Sequence, residues 1–100
     1  MKIKISPFAE TDLQESIKFY NEQQENLGQS FLDVVNEAFN NIKNNPLQFP
    51  KAYKDLRKVI TPRFPFIIFF TIREEICYVL AIFHTSRNPK IIKDRLKFNK

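Results

Sequence analysis

Polar and apolar residues alternate over Lys2 to Ile5, with Ile3 and Ile5 on one side, which predicts a short first strand whose lysines face water. Ser6 and Pro7 then read as a helix start: the serine can accept from orphan amides of the first turn, and proline at the first helical position loses no hydrogen bond. Phe8, Leu13, Ile17 and Tyr20 follow at spacings near one turn and predict an amphipathic helix ending near Asn26. Gly28 is expected to supply the turn to a second helix, because glycine takes positive φ without steric cost. That helix is marked by Phe31, Val34, Val35, Ala38, Phe39 and Ile42 and stops at Asn44-Asn45-Pro46. Leu47 to Asp55 reads as an irregular crossing.

From Leu56 the period changes. Strands are predicted over Arg57 to Ile60, Phe66 to Ile72 and Ile76 to Phe83, with Pro62 and Pro65 separating the first two and Arg73-Glu74-Glu75 turning a hairpin between the others. The last two strands are apolar on both faces, so they should be central, covered by the helices on one side and by something else, a partner chain being the expectation, on the other. Asn88-Pro89 repeats the helix-start signal, and a short terminal helix over Pro89 to Phe98 is expected, with Ile91, Ile92 and Leu96 as its apolar side. The predicted class is α+β: an N-terminal strand and a two-helix hairpin packed on a small, mainly antiparallel sheet, with a short C-terminal helix, all in one domain over residues 1–100.

Composition narrows the function. A single cysteine, Cys77, excludes an internal disulfide and a cysteine-based zinc site, and one histidine leaves too few ligands for a structural metal, so no metal or cofactor is expected. The longest apolar tract is broken by Arg73, Glu74 and Glu75, so no membrane span is expected. MKIKISPF holds no apolar segment long enough for a signal peptide; the expected location is the cytoplasm. The net charge of +5 is unevenly placed, since all but four of the 16 Lys and Arg lie beyond residue 50. An anionic partner should therefore meet the C-terminal half first.

The series Asp12-Leu13 on the first helix, Phe31 on the second, Asn45-Pro46, Arg63-Phe64-Pro65-Phe66, the hairpin, and Ala81-Ile82-Phe83-His84 with Arg87-Asn88-Pro89 and Arg95 resembles the RelE/ParE toxin superfamily over nearly the whole chain. The most specific part is the arginine, aromatic, proline, aromatic run followed by a hairpin and His-x-x-Arg-x-Pro. The resemblance implies the toxin of a type II toxin–antitoxin pair, neutralised by a cognate antitoxin that is expected to be acidic where it binds. It also implies one of two activities: RelE-like members cut messenger RNA on the ribosome, whereas ParE-like members inhibit DNA gyrase by binding.

Cleaving RNA without a metal requires a group to activate the 2′-hydroxyl, cations for the phosphate and an acid for the leaving oxygen. His84, Arg87, Arg63 and Lys90 are the available kit. Arg95 to Lys100 contains no tyrosine or second histidine, where RelE-like nucleases often carry a proton-transfer group, and Phe98 cannot move a proton. The His-x-x-Arg-x-Pro ending with Arg95 looks closer to the ParE-like branch, so the expected mode is target binding through Arg63, His84, Arg87, Lys90 and Arg95. An mRNA endoribonuclease using His84, Arg87 and Arg63 is the alternative, and an inactive relative that only binds antitoxin is a third. Each candidate also has a plainer role: a strand-end hydrogen bond for His84, ion pairing with Asp94 or Asp55 for Arg87 and Arg95, a solvated edge for Arg63. Glu10, Asp12 and Glu15 read as helix-dipole residues, the three tyrosines as half-buried packing and Cys77 as a small buried hydrophobe. With no helix-turn-helix in view, direct DNA contact is expected only through an antitoxin complex.

Overall fold

The computed structural model describes residues 1–88 and 90–96. Strand β1 (Lys2–Ile5) leads into helices α1 (Pro7–Gln23) and α2 (Leu27–Asn44), a 3-10 turn at Pro46–Gln48, strands β2 (Lys51–Tyr53), β3 (Leu56–Ile60), β4 (Phe66–Arg73) and β5 (Ile76–His84), and helix α3 (Lys90–Leu96). One sheet runs β1-β5-β4-β3-β2. All pairs are antiparallel except β1 with β5, which run parallel in the register Lys2↔Ile76 to Ile5↔Val79. The first strand thus lies outside the last and β5 is flanked on both sides, while its two apolar faces are covered by separate helical layers.

The start of α1 is as expected: Ser6 is extended and its Oγ accepts the Ala9 amide at 3.2 Å, with Pro7 in the first turn. The turn between the helices is not. Asn26, at φ 65°, supplies the left-handed residue, α1 ends at Gln23, and Gly28 has no positive φ. The glycine is required by proximity instead, since a Cβ there would lie 2.6 Å from the Ile17 carbonyl oxygen and 2.7 Å from the Asn21 side chain. Its amide donates to Asn21 Oδ1 at 2.8 Å, which satisfies one open donor of the α2 first turn.

The segment read as an irregular crossing contains β2, a three-residue edge strand too short to show a period. The β4–β5 hairpin closes through Glu74 and Glu75 alone, both left-handed at φ 51° and 65°, and Arg73 belongs to the strand. Two left-handed residues match the twist of the flanking strands even without glycine.

Phe66, Ile68, Phe70, Val79 and Ile82 face the helices and form the main core with Leu13, Phe31, Val35 and Ile42. On the opposite face Leu56, Phe69, Leu80, Ala81 and Phe83 are buried beneath Ile91 and Ile92 of α3. The expectation that a partner chain covers this second face is therefore corrected: the chain's own α3 covers it there. That helix is described over Lys90–Leu96, with Pro89 and Phe98 of the expected span outside the described residues. Among the described residues no helix is long and apolar enough to cross a membrane.

Gly28→Ala is expected to destabilise the protein by about 1–3 kcal/mol, because the new methyl group meets backbone that cannot move independently; urea denaturation measures it. Cys77 is buried in β5, and burial pushes its thiol up, with the N-terminal ammonium pulling more weakly the other way. A raised value leaves less thiolate at mildly alkaline pH. A thiol reagent at pH 8 should label it only as fast as the protein opens, as a time course with and without denaturant will show.

Candidate functional site

The β1–β5 ladder ends where the Ser6 amide donates to the Val79 carbonyl at 2.9 Å, yet β5 continues to His84. A bulge at this point pairs Phe69 with Ala81 and Phe70 with Val79, leaving Leu80 as the extra residue. Side chains then take over from the missing strand. The Ile82 amide donates to Asp12 Oδ2 at 3.0 Å, and the Leu80 carbonyl accepts from Ser6 Oγ and Arg95 Nη1, each at 3.4 Å. Arg95 binds Asp12 through both guanidinium ends, Nη1 to Oδ2 and Nη2 to Oδ1, the latter at 3.2 Å. The Arg95 and Asp12 side chains are 14% and 9% exposed, so the pair works in a largely dry setting. The Arg95 guanidinium also sits over Phe83 at 4.6 Å and Phe8 at 5.2 Å. Asp12 is thus no helix-dipole residue, and Arg95 pairs with neither Asp94 nor Asp55 but with a carboxylate 83 positions earlier.

Beside this pair lies a groove of about 360 Å³. Asp12, Glu15, Ser16, Phe19 and Tyr20 of α1 form one wall; Phe66, Ile82, His84 and Arg87 form the other. His84 meets Phe66 edge to face at 5.4 Å, and its Nδ1 accepts the Ser86 amide at 3.0 Å. That bond places the proton of the neutral ring on Nε2. The Arg87 amide donates to the His84 carbonyl at 3.0 Å, closing the turn, and its guanidinium lies over Phe83 at 4.6 Å. Tyr20 packs on Phe31, Phe64 and Phe66, and burial pushes its phenol up, so it stays protonated at neutral pH.

The structure therefore brings together His84 and Arg87 of the predicted set. Arg63 is elsewhere, exposed in the β3–β4 loop at φ 66° with its guanidinium 5.5 Å from the Phe64 ring. That loop is braced by buried Thr61, whose Oγ1 donates to the Phe64 carbonyl and accepts the Phe66 amide. Lys90 is exposed at the start of α3, its amide capped by Asn88 Oδ1 at 2.9 Å. Neither lines the groove. Asp12 and Glu15, read from the sequence as helix-dipole residues, and Phe19, which the helix pattern did not single out, line the groove. The signal was available: Phe8, Asp12, Glu15 and Phe19 are spaced by four, three and four residues, one face of a helix, and both phenylalanines are exposed, at 45% and 55%. Phe8 accordingly lies outside the core in which its spacing had placed it.

Chemically, the groove offers one guanidinium, one imidazole, apolar walls and two carboxylates, one of them neutralised by Arg95. Among the described residues no group of three or more His, Cys, Asp or Glu could hold a metal ion.

The sequence model of the ParE toxin of the type II toxin–antitoxin system parDE matches residues 3–89, and the chain belongs to that family. Among solved structures, a chain of the chromosomal ParDE toxin–antitoxin system from P. aeruginosa is similar at a TM-score of 0.77 and 18% identity, over 86% of this chain and 97% of that one. No curated protein matches in sequence.

Asp12→Ala is expected to lower the unfolding free energy by about 3–5 kcal/mol, since it breaks a largely dry ion pair from one side and removes the acceptor of the Ile82 amide. Combined with Arg95→Ala, the loss should fall short of the sum of the single losses by about 0.5–3 kcal/mol, measured as a double-mutant cycle by chemical denaturation.

Proposed function

We propose that this ParE-family toxin arrests growth by binding a macromolecular target, DNA gyrase, rather than by cutting RNA, and that a cognate antitoxin neutralises it in the cytoplasm. The observation that carries this reading is the dispersal of the cations. Stabilising a cleaving phosphate needs several positive groups aimed at one point. Among the described residues, Arg87 alone of the cations joins His84 in the groove, faced by Glu15, while Arg95 is held by Asp12 and Arg63 and Lys90 lie outside. An RNA phosphate would enter against a carboxylate. A protein segment with an apolar anchor against Phe19 and Ile82 and charges opposite to Glu15 and Arg87 would fit the same walls. An acidic antitoxin is favoured by the charge of the C-terminal half, which draws it in before closer contacts form.

Purified toxin should inhibit gyrase supercoiling and leave messenger RNA intact in a ribosome-dependent translation assay. Cleavage products that vanish in His84→Ala would instead establish the nuclease, and folded toxin without growth arrest would establish an inert relative. Arg87→Ala should hold stability within about 1 kcal/mol, as its contact is one exposed cation–π pair, yet abolish growth arrest on expression.

A further inference from the structure

Charge in this molecule is sorted by layer. Residues 6–45, which hold the helical hairpin, carry seven acids and two lysines; the remaining residues carry fourteen Lys or Arg and four acids. The register shows where four of the six strand cations stand. Lys2 and Lys4 pair with Ile76 and Tyr78, Arg73 with Ile76, and Lys58 with Phe69, so all four share the face on which α3 lies. α3 adds exposed Lys90 and Lys93. Lys93 Nζ comes 4.9 Å from the Tyr53 ring centre, and Lys54 Nζ comes 5.4 Å from the same ring, so two ammonium groups from separate elements converge on one aromatic. No acid projects from a strand on this face: Asp55, Glu74 and Glu75 sit in turns, Asp55 beside Lys51 at 4.0 Å, and Asp94 sits on α3.

Cations that outnumber the acids around them repel one another in the isolated chain and are relieved once a polyanion arrives. We propose that the α3 side of the sheet binds the phosphate backbone of duplex DNA, without sequence preference, in a contact separate from the groove. An acidic peptide would feel the same field, but its affinity must come from buried anchors, and this face presents spread lysines rather than a pocket. Backbone binding needs only distributed cations that release counterions. It needs no helix in a groove, so the contact does not depend on a helix-turn-helix. The inference does not depend on gyrase being the target, and its test contains no gyrase.

The experiment is fluorescence anisotropy of a labelled duplex of arbitrary sequence, about 20 base pairs long, titrated with the full chain over a range of salt. With about four phosphates contacted, log affinity should fall against log salt with a slope of about −3 to −5. Lys58→Glu/Lys93→Glu should weaken binding at least ~10-fold and flatten the slope by about 2, as expected for two lost phosphate contacts. Lys18→Glu/Lys43→Glu changes the net charge equally but on the helical layer, and should stay within ~3-fold. Lys58→Gln/Lys93→Gln repeats the test with a milder change, and circular dichroism checks that each variant is folded. Equal weakening by both glutamate pairs would overturn the proposal, because net charge and not this face would then be responsible. Competition by poly-glutamate as effective as DNA at matched charge would also overturn it, in favour of an acidic peptide.

Discussion

The Asp12–Arg95 pair is the contact on which the upper half of the molecule depends. β1 is four residues long and β5 is nine, so the edge of β5 outlasts its neighbour. An open edge inside a packed protein leaves amides and carbonyls without partners, which is costly unless something replaces the strand. Asp12 accepts the Ile82 amide, Arg95 donates to the Leu80 carbonyl, and each charge neutralises the other. One interaction thereby joins α1, β5 and α3 and fixes the wall of the groove beside it. The bulge at Leu80 belongs to the same device, because it marks the place where side chains take over from the strand.

Much of this architecture can be read from the residues themselves. Ser6-Pro7 marks the start of α1 because capping is local chemistry, and the α2 stripe from Phe31 to Ile42 is legible because burial on one helix face has a period. Features that depend on tertiary contact are not legible in that way. Gly28 looks like a turn residue from its neighbours, but its small size answers to Ile17 and Asn21 across the hairpin, while Asn26 performs the turn. The second face of β4 and β5 looks like an interface in sequence because, although the terminal helix and its apolar Ile91 and Ile92 are legible locally, the face of the sheet on which they pack is set by tertiary contact.

The candidate site divides along the same line. His84 and Arg87 are three positions apart, and a turn brings them to one groove. Arg95 and Asp12 share no local signal at all, since only the folded chain brings them together. An arginine and an aspartate on amphipathic helices both resemble surface residues until the sheet edge between them is known. The acidic hairpin and basic sheet show a different relation: the sign of each half is plain in composition, but the side on which the lysines stand needs the strand register.

The parallel pairing of β1 with β5 has a consequence for synthesis. The N-terminal strand has no mate until residues 76–79 exist, and everything from α1 to β4 is made in the interval. Domains built on such distant pairings close late and slowly, because the loop must be gathered before the contacts reward it. Arg95 comes later still, so until residue 95 has been made a nascent chain carries its helical hairpin without the finished groove wall. The groove wall is thus complete only once residue 95 has been made, long after the helices that form its other side.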